Sequence, residues 1–100
     1  MHVELRVEAR YDLLEGAWFY EQQREGLGDY FTDCLFEDLG RLEKEAGAHA
    51  TIFGLHRKLS KRFPFAIYYR IVESVIDVVA ILDCRRHPDV HAARLKGTNG

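Results

Sequence analysis

The sequence predicts an α+β protein: a helical hairpin packed on an antiparallel sheet as a two-layer sandwich, in the order β-α-α-β-β-β. Three observations predict it. Residues 2–7 alternate in polarity, residues 8–46 switch to a helical period broken by Gly26-Leu27-Gly28, and residues 65–82 form two apolar runs split by Glu73-Ser74. A period of two marks a half-buried strand, a period near 3.6 an amphipathic helix, and paired β-branched runs a hairpin.

In the opening segment Val3, Leu5 and Val7 alternate with His2, Glu4 and Arg6, as in a strand at or near a sheet edge. From Glu8 the pattern is helical. Ala9, Leu13, Ala17 and Tyr20 make the stripe, with Leu14 and Trp18 widening it to one side. Gly16 inside this pattern costs about 1 kcal/mol against alanine, which points to a close neighbour. The helix is expected to end near Arg24, where Gly26-Leu27-Gly28 supplies a left-handed turn.

A second helix is expected from Asp29 to Ala46, with the stripe Phe31, Leu35, Leu39, Leu42 and Ala46, Cys34 alongside, and Gly47 closing it. Glu37 and Arg41 form an i,i+4 pair of the favourable order. A loop follows through Ala48–Phe53. Leu55–Arg62 then reads as a strand with Leu55 and Leu59 inward and His56, Lys58, Ser60 and Arg62 outward, and with a bulge or edge position to accommodate Arg57 and Lys61.

Phe63-Pro64 makes a turn, because proline cannot donate to a central ladder. In Phe65–Val72, Phe65, Ile67, Tyr69 and Ile71 alternate with Ala66, Tyr68, Arg70 and Val72. In Val75–Leu82, Val75, Val79 and Ile81 alternate with Ile76, Val78, Ala80 and Leu82. Strands apolar on both sides are central strands. Past Pro88 no pattern is sustained, so a short final turn of helix or strand and a loose tail are expected.

One hundred residues, 47% of them hydrophobic, suffice for a single domain spanning 1–100 with its own core. No apolar run approaches the ~18 residues that span a bilayer, and MHVELRVEAR lacks the apolar region of a signal peptide. Two cysteines, Cys34 and Cys84, form no disulfide framework, which points to a reducing, cytoplasmic compartment. Cys84, His87 and His91 have a spacing that a metal could use, but no second Cys/His pair completes a zinc site. No metal or cofactor is expected. The net charge of −2 conceals a split: residues 1–50 sum to −7 and residues 51–100 to +5. Such a basic half suits a polyanion or an acidic protein segment.

Four pieces in order carry a family resemblance: Glu8-Ala9…Asp12-Leu13-Leu14, Tyr20-Glu21-Gln22…Gly26-Leu27-Gly28, the run Lys61-Arg62-Phe63-Pro64-Phe65-Ala66-Ile67-Tyr68-Tyr69-Arg70, and Arg85-Arg86-His87-Pro88. From residue 1 to about 95 the chain resembles the ParE branch of the RelE/ParE toxins of bacterial type II toxin–antitoxin (plasmid stabilisation) systems. The resemblance implies the same element order and a cytoplasmic toxin silenced by a cognate antitoxin. It implies DNA gyrase as target in the ParE branch and ribosome-bound messenger RNA in the RelE branch.

A metal-free nuclease must activate a 2′-hydroxyl, stabilise a pentavalent phosphate and protonate a leaving oxygen. In the RelE branch an arginine in the middle strand and a late aromatic serve these ends. Here the first position falls at about Ala66 and the second near Ala92, while Arg86 matches the basic residue after the last long strand. This favours a binding protein over an enzyme. The alternative, a ribosome-dependent endoribonuclease, would use Arg57, Lys58, Arg86 and His91. For target or antitoxin binding, the expected contact set is Arg57, Lys58, Lys61, Arg62, Arg70, Arg85 and Arg86, with Trp18 and Tyr20 on the first helix as aromatic anchors.

Overall fold

The computed structural model describes residues 1–97. The elements are β1 (His2–Leu5), α1 (Val7–Gln23), α2 (Leu27–Glu45), β2 (Thr51–Ile52), β3 (Leu55–Leu59), β4 (Phe65–Val72), β5 (Val75–Asp83) and α3 (Pro88–Leu95). The sheet order is β1-β5-β4-β3-β2. The α+β reading and the helical hairpin stand as expected. The sheet, however, is mixed: β1 runs parallel to β5, His2 opposite Val75 through Leu5 opposite Val78, while the other pairs are antiparallel.

Two elements go beyond the expected order. β2 lies inside the segment read as a loop, joined to β3 through Phe53 and Gly54, which both take positive φ (56° and 76°). That is the demand of a tight two-residue hairpin turn, and phenylalanine at its first position hides the signal that Asn-Gly would give. α3 occupies the segment that showed no pattern. His87 accepts a hydrogen bond from the Asp89 N–H, and proline follows at the first helical turn. The tail expectation continues into residues 98–100, which lie outside the described residues.

The α1–α2 hairpin covers one sheet face. Its core joins Leu13, Tyr20, Phe31, Leu35, Leu39 and Leu42 to Phe65, Ile67, Tyr69, Ile76, Val78 and Ile81. Close crossing depends on glycine. A Cβ at Gly16 would lie 2.6 Å from the Phe31 ring, and one at Gly28 would lie 2.6 Å from the Ala17 carbonyl oxygen. Glu21 holds the intervening turn by accepting from the Gly26 and Gly28 N–H groups. Arg41 pairs with Asp38 at 2.5 Å, where an i,i+4 partner at Glu37 was expected. Asp38 is 1% exposed and also accepts from the Ser60 hydroxyl.

The second face holds Leu55, Ala66, Tyr68, Val79 and Ala80, with Leu95 of α3 packed on it. Strict alternation in β5 is broken. Tyr68 opposes Ala80 and Tyr69 opposes Val78, so Val79 is a bulge residue and Ile81 returns to the helical side. β3 runs in the opposite phase from that expected. Lys58, opposite Ile67, faces the helices at 8% exposure and pairs with Glu45, whereas Leu59 is 58% exposed. Counting from Leu55 placed Leu59 inside; the anomaly attributed to β3 sits instead in β5.

Beyond Val78, β5 has no strand neighbour on its β1 side among the described residues, and side chains take over that edge. The Ile81 N–H donates to the buried Asp12 carboxylate (3.0 Å), and the Asp83 carbonyl accepts from His91 Nε2 (2.8 Å). Arg94 of α3 places both terminal nitrogens on Asp12 at 2.8 Å. One carboxylate thus joins α1, β5 and α3.

Candidate functional site

β3 ends, β4 begins and β5 ends on the same side of the molecule, so the loops after β3 and β5 are neighbours there. The Cys84 N–H donates to the Pro64 carbonyl at 2.8 Å and fixes the two together. This end gathers Lys61, Arg62, Arg85 and Arg86. All four are exposed.

The helical hairpin props two of these cations. The Arg85 guanidinium lies 5.4 Å from the Phe19 ring centroid and 5.8 Å from that of Tyr20, and it hydrogen-bonds both oxygens of Asp83 (2.9 and 2.7 Å). That hydrogen bond, acting against burial, holds the Asp83 carboxyl below its ordinary range. Arg62 donates to the Tyr30 hydroxyl at 3.3 Å. The Lys61 backbone N–H faces the Asp38 carboxylate at 3.4 Å, and the residue is exposed. Arg86 instead lines a groove of about 550 Å³ between α1 and α3, beside Trp18 and His91.

The remaining residues of the expected contact set are elsewhere. Arg70 lies near the opposite end, where it and Arg6 both bind Asp77 (3.0 and 2.8 Å). Burial raises the Asp77 carboxyl, but the hydrogen bonds from the two arginines outweigh it and leave the group below its usual value. Lys58 is committed to Glu45 on the helical face. Tyr20 is buried at 7% in a ring cluster with Phe31, Phe63 and Phe65. Trp18, 67% exposed, is the aromatic of the expected pair that a partner can reach.

Arg57 and His91 do meet, through a third side chain. Arg57 Nε donates to Tyr68 Oη at 3.0 Å, and that oxygen lies 3.0 Å from His91 Nδ1. A carbonyl can only accept, so the Asp83 oxygen requires the His91 proton on Nε2. The Arg57 donation leaves Tyr68 its own proton to give, and Nδ1 receives it. Both imidazole nitrogens are therefore occupied, in one tautomer. Cys84 sits against the same arginine at 3.5 Å, its thiol pushed up by burial and only partly eased by Arg57. Cys84, His87 and His91 thus turn to different partners, and among the described residues no three His, Cys, Asp or Glu side chains converge as a metal site requires.

Sequence reasoning missed Asp12, Asp38 and Tyr68 as polar keystones. A signal existed for the first two, since each is an acid inside an apolar helical stripe. None existed for the Tyr68–His91 contact, which depends on α3 folding back over the sheet.

No protein-family model matches the chain, and no curated protein matches it in sequence. Among solved structures, the chromosomal ParDE TA system from P. aeruginosa is similar at a TM-score of 0.73 and 17% identity, over 81% of this chain and 92% of that one. The chain shares the fold of that structure.

Proposed function

We propose that this chain is a ParE-like toxin that acts by binding, inhibits DNA gyrase in the cytoplasm, and is silenced by a cognate antitoxin. The observation that carries the reading is the cationic end, Lys61, Arg62, Arg85 and Arg86, gathered on the neighbouring loops after β3 and β5 in a ParE-like fold. Clustered cations on a fixed scaffold raise the local positive potential and steer acidic partners. The acid–base alternative has less support. His91 has no free nitrogen, and Lys58 faces away from Arg57 and His91. No helix among the described residues is long and apolar enough to cross a membrane, which agrees with a toxin that works in solution.

The test is inducible expression in bacteria, with plasmid supercoiling and messenger integrity followed in the same cells. Blocked supercoiling with intact messenger is expected. Reversing Arg85 and Arg86 to Glu in the folded protein is expected to weaken gyrase inhibition by about ten-fold or more, because charges at a steered interface each contribute about 1 kcal/mol or more. Cleaved messenger with normal supercoiling would replace this reading with the endoribonuclease.

A further inference from the structure

The outer face of α1 carries an apolar ridge that none of the described residues covers. Val7, Tyr11, Leu14 and Trp18 follow one another at steps of four, three and four residues and are 61, 64, 64 and 67% exposed. The opposite face of the same helix, with Ala9, Leu13, Gly16 and Tyr20, is buried in the core. A helix that is apolar on two faces has two surfaces to bury. Alternating steps of four and three are the seam of a two-helix coiled coil, and the ridge runs about 17 Å at 1.5 Å per residue. Phe36 of α2, 55% exposed, extends it beside Leu14.

We propose that a second copy of this chain covers the ridge, the two α1 helices lying side by side and pointing the same way about a two-fold axis. The flanking charges choose both the occupant and the direction. Arg10 borders the seam on one side, and Glu8 and Glu15 border it on the other. Among the described residues neither the Arg10 nor the Glu15 side chain closes a hydrogen bond or ion pair, though Glu8 and Glu15 both act through space on Arg94. In a parallel pair, a residue just before one seam position faces the residue five further along the partner helix. Arg10 of each copy then meets Glu15 of the other, and the two-fold axis makes the contact twice. Opposed helices would instead set Glu8 beside Glu15 of the second copy, twice, like charge against like. The ridge therefore holds both halves of its own charge complement, as a surface that binds itself must.

Sedimentation velocity on the full chain tests this, and it does so whatever the chain's target is. A dimer with a dissociation constant on the order of micromolar is expected for an interface of this modest size. Leu14→Glu is expected to give a monomer with unchanged circular dichroism. Arg10→Glu should weaken the dimer about ten-fold or more, and combining it with Glu15→Arg should restore it. Tyr11→Cys should cross-link to itself on oxidation. A wild-type chain that stays monomeric at about 200 µM, far above that range, would overturn the proposal. So would a dimer indifferent to Leu14→Glu, or a charge swap that fails to rescue. A monomer whose co-purified antitoxin is lost with Leu14→Glu would overturn it as well, assigning the ridge to that protein.

Discussion

Tyr68 bridges two neighbours, Arg57 on β3 and His91 on α3. Arg57 needs an acceptor, and His91 Nδ1 needs a donor. Tyr68→Phe removes both while filling nearly the same space, leaving two polar groups unmet under α3. We expect a loss of about 1–3 kcal/mol in urea unfolding, the cost of unsatisfied buried groups. A loss confined to a few tenths would mean that water replaces the hydroxyl. Strand parity made it legible that Tyr68 and Tyr69 face opposite sides. It could not show that both are buried, or that Tyr69 spends its hydroxyl on the Gly47 N–H at 3.1 Å and on His49. Those partners are 20 and 22 residues away and come together only in the fold.

Among elements, α3 is the one the sequence concealed most. Its eight residues carry too few apolar positions for a period to emerge, and its hold on the molecule is largely polar. Besides Leu95, it is fixed by Arg94 on Asp12 and by His91 on Tyr68 and Asp83. Asp12→Ala takes away the carboxylate shared by Arg94 and the Ile81 N–H. Breaking such a pair from one side is expected to cost about 2–4 kcal/mol. Hydrogen exchange should localise the damage, with α3 amides losing protection before those of β4. Equal loss everywhere would show that α3 opens only with the whole molecule. The β4–β5 hairpin was legible almost to the residue, because its apolar runs are long and its turn short. The Val79 bulge was not, since alternation in a strand apolar on both faces looks the same before and after a one-residue slip.

The charge split seen in the whole sequence is partly consumed within the molecule. Asp12 meets Arg94 and Glu45 meets Lys58, so acids of the first half neutralise bases of the second. Composition therefore overstated the free basic surface, which contracts to the loops after β3 and β5. The same pairs set the response to acid. Asp77 is depressed because Arg6 and Arg70 overcome its burial, Asp83 by Arg85, and Glu45 by its hydrogen bond from Lys58. A carboxyl lowered by folding stabilises the protein above its unfolded value near pH 4, and that contribution is lost as pH falls through the folded value. His49 is lowered too, by burial and then by Lys58, so its penalty begins earlier, as pH drops below about 6.5. Thermal unfolding should show Tm falling gently from about pH 6.5 and steeply below about pH 4. Asp77→Asn should cost about 1–3 kcal/mol at neutral pH, and the deficit should shrink towards about pH 2.5. An undiminished deficit there would show that ionisation is not what Asp77 contributes.

The parallel pairing of β1 with β5 also dictates an order of events during synthesis. Residues 2–5 leave the ribosome well before their ladder partners, residues 75–78, so β1 waits for the rest of the sheet. Contacts so distant along the polymer are slow to form, because the loop between them must first be closed. The β4–β5 hairpin, whose strands are neighbours, can assemble without that wait. The sheet is thus completed by its oldest residues. Until then Val3 and Leu5 stay uncovered, and a nascent chain cut short before β5 emerges cannot acquire this architecture at all.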